Sequence, residues 1–216
     1  SPRLLAVDLD GSVYVLRELK PESTGPSVFH RLPDGQWRDL PFPEESGIYS
    51  RVDAIGVAPD GSKLIVADGY GVARLLPDGT WRDILGAAST DPHLPYEQTR
   101  LLRELSISGL LALAFTPDGS AWFGLESDVG GLVRLAPDDR MHLHSTPDGA
   151  APADVSHLAV DAGGGAWLDS GEGLFHRSPA GAWAWFSPSP SQSWTPPPLA
   201  VDGQGAVWTA TGGGTA

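Results

Sequence analysis

Two pairs of carboxylates, Glu126 with Asp128 and Asp169 with Glu172, are the side chains best suited to act together. Gathered in space, they would bind a cation through oxygen ligands or a basic partner through ion pairs. His93 and Tyr96 add an imidazole and a phenol in one connector, and Trp194 lies in the Pro-rich stretch SPSPSQSWTPPP, where its ring could stack on a sugar or peptide. His142 and His144 are two residues apart, so on a strand they would share one side as two metal ligands do, but no third ligand stands nearby. Asp8-Leu9-Asp10-Gly11 has the residue types that open a calcium loop, yet the same types make a tight turn. GVAPDGSK (56–63) is not a phosphate loop, because its Lys follows the Ser and its surroundings are strand and hairpin. Asp154, Ser156 and His157 are close in sequence, which sets no triad geometry, and there is no Gly-x-Ser-x-Gly elbow.

Composition narrows the partners. The chain of 216 residues has a formal charge of −13, and Lys20 and Lys63 are its only lysines. Nucleic acid is therefore not an expected partner, since its affinity rests on clustered Lys and Arg. Cysteine is absent, so there is no disulfide framework and no thiolate metal site. Asparagine is absent too, which removes every N-glycosylation acceptor. No stretch approaches the roughly 20 apolar residues of a membrane-spanning helix, so this segment is not expected to insert in a membrane. Ser1-Pro2 does not open a signal peptide.

The elements that must position these side chains come from a repeat. LAVDLDGSVYVL (5–16) has counterparts in IGVAPDGSKLIV (55–66), LAFTPDGSAWFG (113–124), LAVDAGGGAWLD (158–169) and LAVDGQGAVWTA (199–210). All align on a glycine, Gly11, Gly61, Gly119, Gly164 and Gly205, spaced by 50, 58, 45 and 41 residues. A second half-repeat follows in four of the units: VFHRLPDGQWRDL (28–40), VARLLPDGTWRDI (72–84), LVRLAPDDRMHL (132–143) and LFHRSPAGAWAWF (174–186). Each half reads as strand, tight turn, strand, with Pro presetting φ and Gly accepting positive φ. The unit is therefore a meander of strands A, B, C and D. In strand A a small residue (Ala6, Gly56, Ala114, Ala159, Ala200) stands between two large ones, which suits sheets that converge on an axis and pack on both faces. Large residues recur three positions after the aligned glycine: Tyr14, Leu64, Trp122, Trp167 and Trp208. These, with Trp37, Trp81 and Trp183, are expected to pack between sheets.

The predicted fold is all-β: a single β-propeller over residues 1–216 with four full antiparallel four-stranded blades and a partial fifth. The blades fall near 4–53, 54–111, 112–156, 157–197 and 198–216. The fifth stops after strand B, and its open edge is expected to be completed by further residues or by another chain. Within the longest connector, PYEQTRLLREL (95–105) has the pattern of a short amphipathic helix.

GAWLDSGEGLFHRS and GAVWTATGGG resemble the Gly-x-x-Trp-x-x-Thr-x-x-Gly-Gly-Leu-x-Arg pattern of two-component regulator propeller repeats, found in extracytoplasmic sensor regions of bacterial histidine kinases. The Pro-Asp-Gly blades are also similar to those of streptogramin lyase-like and NHL propellers. The resemblance covers nearly the whole chain and implies an extracytoplasmic, periplasmic or secreted, sensor or interaction module. Blade 2 departs from it with Leu64 in place of the Trp, and blade 3 with Asp139 where the last turn has Gly.

Connector length locates the expected binding face. A–B and C–D turns are tight throughout, while insertions fall at B–C (17–27, 125–131) and at D–A (41–53, 85–110, 145–156, 187–198). These two classes share one face of a propeller, and elaborated loops on a rigid scaffold commonly carry binding. There Glu126, Asp128, Asp169 and Glu172 converge from blades 3 and 4, joined on the rim by His93, Tyr96 and Trp194. The expected ligand is a small molecule, a glycan or a protein, with no cofactor required. Two rival readings are a lyase or lactonase-like propeller enzyme with an axial divalent cation, and a structural subunit of a larger assembly. Lactonase-like propellers typically use Asn among their metal ligands, and this chain has none.

Overall fold

A computed structural model describes residues 2–17, 28–40, 52–67, 71–86, 110–125, 131–144, 155–170, 173–186 and 199–209. The expected helix over 95–105 lies outside them. The chain divides into two compact units, Ser1–Gly109 and Leu110–Ala216.

The first unit holds two four-stranded antiparallel sheets. Blade 1 comprises β1 (Pro2–Val7), β2 (Val13–Arg17), β3 (Val28–Arg31) and β4 (Trp37–Asp39). Blade 2 comprises β5 (Val52–Val57), β6 (Lys63–Ala67), β7 (Gly71–Leu75) and β8 (Trp81–Gly86). In the second unit, blade 3 is β9 (Leu110–Phe115), β10 (Ala121–Leu125), β11 (Leu132–Leu135) and β12 (Met141–His144). Blade 4 is β13 (His157–Val160), β14 (Ala166–Ser170), β15 (Gly173–Arg177) and β16 (Trp183–Phe186), and a two-stranded sheet, β17 (Leu199–Val201) with β18 (Val207–Thr209), follows. Every sheet pairs its strands in sequence order, so each is a meander. Strand A is always an edge strand, and it lies against strand A of the next sheet: β1 with β5, β9 with β13, and β13 with β17.

Pairing register explains the small residue of strand A. Ala6 is opposite Tyr14, Gly56 opposite Leu64, Ala114 opposite Trp122, Ala159 opposite Trp167 and Ala200 opposite Trp208. Each blade is thus thin at its innermost strand and thick one strand out, the taper that lets sheets fan without leaving voids. In the first unit Tyr14, Val28, Ile55 and Ile65 form the core, and in the second Trp122, Leu132, Val155, Leu168 and Phe175 do so.

Among the described residues nine hairpins close the A–B and C–D ends, and all have one geometry. In the first, the Asp8 N–H donates to the Ser12 carbonyl at 2.8 Å and the Gly11 N–H donates to the Asp8 carbonyl at 3.0 Å. This is a type I turn closed by a residue at positive φ, the three-residue hairpin loop. Gly supplies that residue in eight of the nine, and in blade 3 Asp139 does so at φ 64°. Asp one residue before the positive-φ position adds a side-chain bond, as where Asp10 Oδ1 accepts from the Ser12 N–H at 2.8 Å. Asp8-Leu9-Asp10-Gly11 is therefore a hairpin turn.

Not every repeat-position tryptophan packs. Trp122 is 2 % exposed, whereas Trp37 and Trp208 are 56 % and 66 % exposed. Trp37 lies on an outermost strand, which has a neighbour on one side only. Trp208 satisfies its indole N–H on Asp202 Oδ2 at 3.0 Å, a bond that helps hold the Asp202 carboxyl below its ordinary range.

Candidate functional site

Strand order places the A–B and C–D hairpins at one end of each blade and the B–C and D–A connections at the other. Of the residues expected to bind at that second end, Glu126, Asp128, Glu172, His93, Tyr96 and Trp194 lie outside the described residues. Asp169 is described, near the end of β14, 1 % exposed and paired in register with His157 on β13. His157 Nδ1 stands 3.6 Å from Asp169 Oδ2, and the Ser156 N–H donates to the Asp169 carbonyl at 3.0 Å. His157 and Ser156 therefore both meet Asp169, across the A–B ladder of blade 4.

A concavity lined by described residues lies at the hairpin end, between blades 3 and 4. It has a volume of about 260 Å³, and its lining includes Thr116, Asp118, Trp122, Arg134, Arg177 and Pro179. Arg134, on β11, is opposite Trp122 in register, and its Nη2 donates to Asp118 Oδ2 and to Ser120 Oγ, each at 2.9 Å. The Thr116 hydroxyl also donates to Asp118. Burial would raise the Asp118 pKa, but these hydrogen bonds and the Arg134 charge outweigh it and hold the carboxyl below its ordinary range.

Arg177 stands at the end of β15 in blade 4 and reaches across to blade 3. Its guanidinium carbon lies 5.3 Å from the centroid of the Trp122 ring, and that of Arg134 lies 5.8 Å from the same ring. Cation–π attraction of this kind contributes about 0.5–2 kcal/mol, more as water is removed. Arg177 Nε is buried with no hydrogen-bond partner, and among the described residues no carboxylate pairs with this guanidinium. Burial, then the nearby Arg134 charge, lowers its pKa from the ordinary arginine value. His144, whose ring centroid is 5.0 Å from that of Trp122, is driven down to about 4 by burial and by Arg177, His142 and Arg134. It is neutral at physiological pH. His142, its neighbour two residues back, is exposed. Among the described residues no three His, Asp or Glu side chains come together as metal ligands.

The junction between blades 1 and 2 also sets a cation near an aromatic ring of the preceding blade, with different residues. Tyr14 takes the place of Trp122, and Lys63 Nζ lies 5.9 Å from its ring centroid. Lys63 and Leu75 share a cross-strand row, as Ala166 and Arg177 do in blade 4, so the cation stands on strand B in one junction and on strand C in the other. Lys63 has a counter-ion, Asp8 Oδ2 at 2.8 Å, which also accepts from the Tyr14 hydroxyl at 3.1 Å. Burial, then Asp8, pushes the Tyr14 pKa up. In blade 3 the position of Asp8, first in the A–B loop, is Thr116.

In sequence Trp122 reads as a packing residue and Arg177 carries no site signature, so this cleft is not among the expected sites. One departure from the repeat is visible in sequence, Thr116 where blades 1, 4 and 5 have Asp8, Asp161 and Asp202; Arg177 is no departure, since its row holds Arg31 in blade 1 and Leu75 and Leu135 in blades 2 and 3.

Meandering four-stranded sheets whose inner strands adjoin, with a small-large pair setting their taper, define the β-propeller class. Comparison with known proteins agrees on that class. No family model and no curated protein matches the chain. Similar solved structures include virginiamycin B lyase from Staphylococcus aureus, with a TM-score of 0.66 and 14 % identity over 95 % of this chain and 61 % of the lyase chain. The extracellular domain of the putative hybrid two-component system BT3049 from B. thetaiotaomicron matches at 0.65 and 15 %, over 94 % of this chain and 25 % of that one. XC5397 from Xanthomonas campestris, a gluconolactonase, matches at 0.61 and 20 %, over 95 % and 67 %. The chain thus spans about three fifths of the length of the lyase.

Proposed function

We propose that this chain is a ligand- or protein-binding β-propeller, an extracytoplasmic sensor or interaction module that recognises its partner at the end where strands B and C, and D and A, are joined. The observation that carries the reading is the contrast between the two ends. Nine hairpins of one geometry close the first, so all variation in connector length falls at the second, from residues 171–172 to residues 87–109. A rigid scaffold with variable loops at one end is the usual arrangement for recognition. Likeness to extracellular domains of two-component systems supports the same reading.

A propeller enzyme is the second reading, favoured by the likeness to a lyase and a gluconolactonase. The two separate in one experiment. Purified protein is incubated with lactones, cyclic peptides and glycans, while the same compounds are scored for a rise in melting temperature. Stabilisation without turnover supports the binding module, and turnover that persists through repurification overturns it.

A further inference from the structure

We propose that the cleft between blades 3 and 4 binds a small organic carboxylate, whose carboxylate group stands beside Arg177 as Asp8 stands beside Lys63 in the first junction. This site is at the hairpin end of the blades and does not depend on what the opposite end binds.

The molecule contains its own control. Both junctions set a cation over the aromatic ring of the preceding blade, at 5.9 Å for Lys63 over Tyr14 and 5.3 Å for Arg177 over Trp122. In the first, a carboxylate 2.8 Å away neutralises the cation. In the second, Thr116 replaces that aspartate, and the space beside the guanidinium is a cleft of about 260 Å³. Asp118 lines the cleft, but its carboxylate already accepts from Arg134 at 2.9 Å and from Thr116. His144, driven down to about 4 chiefly by burial, contributes no charge at pH 7. Among the described residues one uncompensated positive charge therefore lines this space, in a chain whose formal charge is −13. Arg177 is half-buried and its Nε has no partner, so an anion entering here gains a charge-assisted bond to a guanidinium that no carboxylate among the described residues already holds.

Size and lining define the rest of the ligand. The volume lies just below the roughly 300–1,000 Å³ of drug-sized pockets, which limits the ligand to a small molecule. Pro117, Ala162 and Pro179 give the walls apolar surface, suited to a carboxylate carried on an apolar body.

Benzoate is the probe. It is titrated into the full chain while arginine side-chain Nε–H signals are followed by NMR, with inorganic phosphate in a parallel arm. The expected result is a saturable benzoate shift of the Arg177 signal. Arg177→Leu, which installs the residue of blades 2 and 3, abolishes binding. Thr116→Asp supplies an internal counter-ion, weakens benzoate binding by about tenfold or more and raises the melting temperature. Both variants use residues found at the same repeat positions elsewhere in the chain, and melting curves verify that they fold. Absence of a saturable shift, or binding unchanged in both variants, overturns the proposal. Arg177-dependent binding of phosphate in preference to benzoate overturns the carboxylate assignment.

Discussion

Lys63 Nζ lies 2.8 Å from Asp8 Oδ2 across the junction of the first two blades, with the two side chains 14 % and 10 % exposed. Breaking such a pair from one side leaves the other charge with little water. Lys63→Ala is expected to destabilise the first unit by about 3 kcal/mol. Adding Asp8→Thr, which reproduces the Thr116 and Ala166 of the second unit, is expected to restore part of the loss. Urea denaturation midpoints of wild type, both singles and the double measure this, and additive losses would refute the coupling.

Gly119 closes the A–B loop of blade 3 at φ +83°, and an added Cβ there would meet nothing within 4 Å. Any cost of substitution is therefore one of backbone conformation alone. Gly119→Ala should cost about 1–2 kcal/mol, and Gly119→Asn less, because Asn and Asp tolerate this region as Asp139 does in the next hairpin. Equal losses for the two variants in chemical denaturation would contradict this account.

Gly124 gives the opposite case, with a penalty that comes from packing. A Cβ there would lie 2.7 Å from both Cγ1 and the backbone oxygen of Val155. Gly124→Ala is expected to destabilise by about 1–3 kcal/mol. Val155→Ala in the same chain should relieve only part of that, since the backbone contact remains. Full recovery in the double variant would show that the side chain alone was in the way.

Stability should fall with pH in a window set by His144. Its folded value is about 4 against an ordinary 6.5, so the unfolded chain takes up the proton first as pH falls. The contribution is fully present above pH 6.5 and is lost progressively from there to about pH 4. His144→Gln should flatten the stability profile in that window. The carboxylates whose pKa values are lowered, Asp60, Asp118 and Asp161 among them, act further down, below 3.8. Denaturation midpoints measured at several pH values check this, and an identical slope in the variant would rule His144 out.

The blades were legible because their rules are local. Gly11, Gly61, Gly119, Gly164 and Gly205 all adopt positive φ, as the alignment on them required, and the small residues of strand A prove to be the partners of the large ones on strand B. Asp139 takes the left-handed conformation in place of glycine, so a departure noticed in sequence changed the residue without changing the turn. What could not be read was which blades meet through charge. Arg177 and Trp122 are 55 residues apart, and nothing local says that one will lie over the other. Thr116 gains meaning only when set against Asp8 in a junction of the same kind.

Each hairpin loop spans five residues from its first N–H donor to the carbonyl that receives it, so the entropy lost in closing it is small. A sheet assembled from two such loops has nearly all its ladder within one short run of chain. Blades of this construction can zip up in the order in which they leave the ribosome, each offering the next a finished surface to settle on. A slow step in refolding is then expected at the meeting of neighbouring blades, where Arg177 must find Trp122, rather than within any single blade.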